Sequence, residues 1–166
     1  MLVNKIILIA LVFLSISCEF RNEVYQATGV FINSKNIKIG TVEVIEQGTG
    51  SNFRVQLETL TPGFYAMHIH EKALCDTPDF TSAGGHHGLR SDEAFPGDFR
   101  PIHVKNEVSK YTGKLKKFNQ IIFLRGIFVD PESDSTILDK DGSSIIVHTS
   151  SDGGARIACA KIKKKN

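Results

Sequence analysis

Phe64-Tyr65-Ala66-Met67-His68-Ile69-His70-Glu71 carries two histidines one residue apart in a mostly apolar run. Side chains alternate along a strand with period two, so His68 and His70 project to one side while Ile69 faces a core. Two imidazoles on one face can grip one metal ion. His86, behind Ser82-Ala83-Gly84-Gly85, and His148, ending the apolar run Ile145-Ile146-Val147, are the further candidates. The pattern predicts one metal site assembled from distant strands.

Outward from this stretch, short β-like segments punctuated by turn residues continue, without any sustained 3.6-residue period. Strands are predicted at Val24 to Ile32, Ile37 to Glu46, Asn52 to Thr59, Tyr65 to Ile69, Glu107 to Phe118, Ile121 to Phe128, Ser144 to His148 and Ala155 to Ile162. Such spacing implies an all-β fold: an eight-stranded antiparallel sandwich or flattened barrel. Glu71 to Pro101 is a long loop rich in Gly, Pro, Asp and Ser. A loop of this length in a small domain is usually functional or disordered, and Cys75 and His86 favour function. Asp130 to Gly142 is a second polar connection.

Residues 1–17 hold one early lysine, Lys5, then the apolar run Ile6 to Phe13 and small residues, which reads as an export signal too short for a membrane span. Leu14-Ser15-Ile16-Ser17-Cys18 resembles a bacterial lipobox, although Ser15 stands where leucine is usual; plain signal cleavage is the alternative. Residues 18–23 then form a lipidated N-terminus and linker, and residues 24–166 one domain. Taking Cys18 for the lipid leaves Cys75 and Cys159 as an even pair in an oxidising compartment, expected to form a disulfide. On the chain-entropy model, closing so long a loop stabilises a fold by roughly 4 to 5 kcal/mol; the alternative is two buried thiols. A formal net charge of +2 is spread without a nucleic-acid-binding stripe, and Lys161, Lys163, Lys164 and Lys165 read as a solvated basic end.

Five segments occur together in a familiar order: Met67-His68-Ile69-His70-Glu71-Lys72, Cys75-Asp76-Thr77-Pro78-Asp79-Phe80, Ser82-Ala83-Gly84-Gly85-His86, Gly142-Ser143-Ser144-Ile145-Ile146-Val147-His148 and Gly154-Ala155-Arg156-Ile157-Ala158-Cys159. Together they resemble the copper/zinc superoxide dismutase family, over most of the chain from about Val24 onward. The resemblance implies that the eight strands follow a Greek-key order and that His68, His70 and His148 are copper ligands. His86 is then the histidine that bridges copper to zinc in the usual member. Arg156 would dock the small superoxide anion beside copper, as an always-charged group. His86 would supply a proton. Cys75 and Cys159 match the family disulfide.

The departures matter as much. The family's His-x-Gly-Asp motif stands here as Phe95-Pro96-Gly97-Asp98, and no histidine fills the remaining zinc position, near Ala94. His86 and Asp98 make two zinc ligands where a structural site wants four, so zinc is doubtful. Arg156 follows His148 by only eight positions, and Thr149-Ser150-Ser151-Asp152-Gly153 is merely a turn where the usual enzyme has a long charged loop. Both losses resemble the copper-only branch of the family, in which a carboxylate hydrogen-bonds the non-copper nitrogen of the former bridging histidine. Asp98 is the first candidate for that carboxylate and Glu93 the second. Tyr65 replaces a family histidine, so one internal hydrogen bond must be made differently. His87 reads as a loop residue, with a ligand role as the alternative, and His103 as a surface or edge histidine.

The expected activity is dismutation of superoxide by an exported copper enzyme of the bacterial envelope, membrane-associated only through a lipid on Cys18. The alternative is a non-catalytic copper-binding or copper-delivery protein, which would leave Arg156 without an evident task. A dismutase-like domain that has lost metal fits less well, since all four histidines are kept. Hydrolytic zinc chemistry lacks a placed general base. Whether the protein is a monomer or a dimer is not legible in the sequence.

Overall fold

Asn33 ends the first strand, β1 (Gln26–Asn33), by folding its side chain over the turn: its Oδ1 accepts from the backbone N–H of Lys35 and of Ile37, each at 3.0 Å. Asn36 takes the left-handed conformation that asparagine tolerates, at φ 59°. The chain returns as β2 (Lys38–Gln47) and, after the two-residue link Gly48-Thr49, as β3 (Gly50–Leu57). Gly48 opens that link at φ 61°, the positive φ that tight hairpin turns demand. Burial alternates along both strands, so Val42, Val44, Phe53 and Val55 turn inward and Glu43 and Arg54 outward.

The computed structural model describes residues 24–88, 95–107 and 117–165. The expected leader, Cys18, Glu93 and most of the expected strand Glu107 to Phe118 lie outside the described residues. Chain order continues with β4 (Gly63–Tyr65), β5 (Met67–His70), a 3-10 turn at Thr81–Ala83, β6 (Ile102–Val104), β7 (Phe118–Arg125), β8 (Ser144–Ser150), β9 (Gly153–Lys161) and β10 (Lys163–Lys164). One curled antiparallel sheet has the order β5-β8-β9-β1-β2-β3-β7, with β10 added beside β1, and β4 pairs with β6 in a separate ribbon. Within it, β9-β1-β2-β3 has the Greek-key order: three hairpin-linked strands with a later strand returning beside the first. The expected all-β antiparallel fold is therefore what the chain adopts.

Individual elements depart from expectation for local reasons. The strand expected over Tyr65 to Ile69 is divided at Ala66, because Gly63–Tyr65 pairs with β6 while Met67–His70 pairs with β8. Ala66 still bonds to β8 through both its backbone groups, donating to the Ser150 carbonyl and accepting from the N–H of His148. The strand expected over Ile121 to Phe128 starts at Phe118 and stops at Arg125, where Gly126 turns the chain at φ 74°. β6 was not expected; it carries His103, whose ring stacks on Phe64 with centroids 4.2 Å apart. The Tyr65 hydroxyl donates to the Thr61 carbonyl at 2.8 Å.

β8 is buried from Ser144 to His148, on both faces, and this divides the interior in two. Ile145 and Val147 join Phe31, Phe53, Met67 and Ile69 in the main core. Ile146, on the opposite face, packs with Phe80, Ala83, Cys75 and Cys159 under the long loop. Cys75 and Cys159 are disulfide-bonded. β5 lies at the sheet edge, and its free side is covered by the same loop. Ile69 donates to the Gly97 carbonyl and accepts from His87 N–H, while Met67 accepts from Phe99 N–H.

Candidate metal centre

Strand pairing brings the histidines together. His68 lies opposite Ile146 and His70 opposite Ser144 in the β5–β8 register, which puts both imidazoles on the loop-covered face and Ile69 in the main core. His148 ends the buried run of β8 and lies opposite Arg156 of β9. His86 arrives from the loop, bridged to His70 across the backbone. Ring centroids of His68 lie 4.3 Å from those of His86 and 4.9 Å from those of His148, and His70 lies 5.1 Å from His86. Ring nitrogens of His68, His70 and His148 all lie within 4.8 Å of one another, and those of His68 and His86 lie equally close to a carboxylate oxygen of Asp98.

Hydrogen bonds orient the rings. A carbonyl can only accept, so His70 Nδ1–H donates to Gly84 O and His148 Nδ1–H donates to Gly154 O, both at 3.0 Å. Each ring then presents its Nε2 lone pair. Those two atoms and His68 Nδ1 are buried without a hydrogen-bond partner among the described residues. Three buried, unpaired nitrogen lone pairs converging on one point are costly unless something binds them, and a metal ion that favours imidazole fits. His86 Nδ1–H donates to Asp98 Oδ1 at 2.8 Å, leaving its Nε2 free, and Asp98 Oδ2 accepts from Phe95 N–H at 3.2 Å.

Burial keeps the rings of His68, His70 and His148 neutral. Desolvation, reinforced by neighbouring histidines, lowers His68 to about 4 despite the Asp98 carboxylate. Desolvation lowers His70 to about 3, with Arg156 opposing a second positive charge. His148 is lowered for the same reasons. A histidine that stays neutral in the fold but protonates when unfolded contributes stability above its ordinary value of 6.5, and that stability is lost as pH falls toward the folded-state value. The melting temperature of the metal-free protein is therefore expected to fall steadily from pH 6.5 to about pH 4. A flat profile over that interval in calorimetry would contradict the assignment.

Arg156 is half-buried and anchored by two carbonyls of the disulfide-tied loop: Nη1 donates to Phe80 O at 2.7 Å and Nη2 to Gly84 O at 2.8 Å. Three N–H donors of its guanidinium remain. Of the other expected residues, His87 is not drawn into the cluster. It is buried with its Nδ1 3.2 Å from the Ser143 hydroxyl, and desolvation lowers its pKa. Phe95 sets its ring against His86 with centroids 4.9 Å apart. The carbonyls of Phe80, Gly84 and Gly154 were not foreseeable as site groups, since every residue carries one. Only the glycines Gly84 and Gly154 hinted at an unusual backbone.

The family model for copper/zinc superoxide dismutase matches residues 38–162. A copper-zinc superoxide dismutase of Caulobacter vibrioides is 34% identical over 155 residues, covering 83% of this chain and 86% of that protein. The superoxide dismutase-like protein YojM of Bacillus subtilis is 29% identical over 146 residues, covering 81% of this chain and 74% of that protein. The crystal structure of a dismutase-like protein from Bacillus subtilis superposes with a TM-score of 0.68 at 27% identity, covering 80% of this chain and 95% of that one. With these histidines gathered on the outer face of a Greek-key sheet, the chain belongs to the copper/zinc superoxide dismutase family.

Proposed function

We propose that this protein is an exported, copper-only superoxide dismutase, with His68, His70, His86 and His148 as the copper ligands. The observation that carries the reading is the convergence of buried, unpartnered nitrogens on His68, His70 and His148 beside a tethered arginine. Copper bound there would supply one-electron cycling between Cu(II) and Cu(I), so that two superoxide anions and two protons give dioxygen and hydrogen peroxide. The chain's residues do the rest. Arg156 attracts and orients the anion with donors left over from its carbonyl bonds. His86 keeps Nδ1–H on Asp98, which fixes its ring and leaves Nε2 as the atom that would take copper or, when not so engaged, a proton.

Zinc is doubtful here: His68, His86 and Asp98 come close enough to hold an ion, yet they offer three ligands where a structural zinc wants four. Asp98 already occupies His86 Nδ1, Phe95 stands where the family has a histidine, and His87 is engaged with Ser143. The leader-like sequence supports export, with attachment through Cys18 as its lipobox-like reading, and the disulfide suits an oxidising envelope compartment.

The test is the dismutation rate of the domain loaded with copper and free of zinc, against its Arg156→Ala variant. A fast rate, reduced roughly tenfold or more in the variant and less dependent on ionic strength, is expected. A second reading, copper binding without catalysis, is favoured by the likeness to the dismutase-like protein of Bacillus subtilis. Tight copper binding with negligible turnover would establish it.

A further inference from the structure

The peptide group joining Gly84 to Gly85 is held from both sides. Its carbonyl accepts from His70 Nδ1–H at 3.0 Å and from Arg156 Nη2–H at 2.8 Å. Its N–H, on Gly85, donates to Glu71 Oε1 at 3.1 Å. In a planar trans peptide the C=O and N–H point opposite ways and turn as one body, so a partner on the N–H sets the direction of the carbonyl. Glu71 is itself fixed against this segment, its backbone N–H donating to Gly85 O at 3.0 Å. Its side chain lies so close beneath Gly84 that a Cβ there would stand 2.4 Å from Glu71 Oε1. Gly84 turns its carbonyl inward at φ 76° and ψ −151°, a conformation that glycine alone takes readily.

We propose that Glu71 is a positioning residue: its carboxylate clamps the Gly84–Gly85 peptide, so that one carbonyl sets both the proton position on His70 and the reach of Arg156. The inference rests on the proposed copper site. A charged acceptor on the N–H makes a strong hydrogen bond and polarises the peptide, which improves its carbonyl as an acceptor. Without it, two successive glycines give this peptide the freest rotation the chain can offer. His70 then loses the bond that keeps its proton on Nδ1 and its Nε2 bare, and Arg156 loses one of its two tethers. Glu71 is outside the histidine cluster and exposed, so its removal leaves every ligand and the core intact.

The test compares Glu71→Ala and Glu71→Gln with the wild type. In metal-free, nitrogen-15-labelled protein, ring nitrogen shifts of His70 are expected to report a single Nδ1–H tautomer in the wild type and a mixture in Glu71→Ala. Copper affinity by chelator competition is expected to weaken about tenfold in Glu71→Ala, the lower end of what outer-shell partners contribute. Glu71→Gln, whose amide oxygen can still accept from Gly85, is expected to retain most of both properties. Unchanged tautomer and affinity in Glu71→Ala would overturn the proposal, as would a Glu71→Gln variant impaired as deeply as Glu71→Ala. A wild type that binds copper without dismutating superoxide, together with these shifts in Glu71→Ala, would support the clamp and refute only the proposed function.

Discussion

Cys159→Ser is expected to destabilise the domain by about 4 kcal/mol, read as a lower urea midpoint with a steeper slope, because the uncrosslinked chain exposes more surface when it unfolds. The bond it removes closes a span of 84 residues, from the start of the metal-site loop to the strand that bears Arg156. It also holds together the smaller apolar cluster, in which Phe80, Ala83 and Ile146 pack around the two sulfurs. The damage is expected to reach the site. Phe80 and Gly84, whose carbonyls tether Arg156, lie on the released loop, so dismutation should fall even where the variant is fully folded. A variant with the wild-type midpoint would show that packing alone keeps the loop on the sheet.

Asp98→Ala is expected to weaken copper binding by about 10- to 100-fold, the usual consequence of removing the partner that orients a ligating histidine. The carboxylate uses both oxygens, one on His86 Nδ1–H and one on Phe95 N–H, so its loss frees the ring and loosens the segment beside it. Asp98→Asn should fall between, since its amide oxygen still accepts from His86 without the charge. Chelator competition on the purified domain measures both variants. Wild-type affinity in Asp98→Ala would remove Asp98 from the site.

Much of this was legible from residue types and spacing. Alternation through Met67-His68-Ile69-His70 gives the two faces of β5 without any knowledge of its partner, and Ile69 is fully buried as that period requires. Asp98 could be singled out because an unchanged aspartate beside a lost histidine has few tasks. Other features depend on pairing and leave no local trace. The break at Ala66 arises because its two flanking segments join different sheets. β6, three residues long and directly after Pro101, is too short for any periodicity to show. His87 could not be told from a ligand by sequence, since its orientation follows from its N–H being taken by Ile69 O on the strand edge. The clamp at Glu71 was equally hidden, because its partner is a backbone amide.

The loop that roofs the histidines also seals the margin of the sheet. By bonding to Met67, Ile69 and Glu71 along the side of β5 away from β8, it occupies backbone groups that would otherwise template another chain. The folding chain must therefore complete its metal-site loop to become safe against self-association, and the disulfide that fastens that loop is a guard on solubility. Reduced, metal-free protein should exchange the Ile69 amide early and scatter light on standing, whereas the oxidised form should do neither.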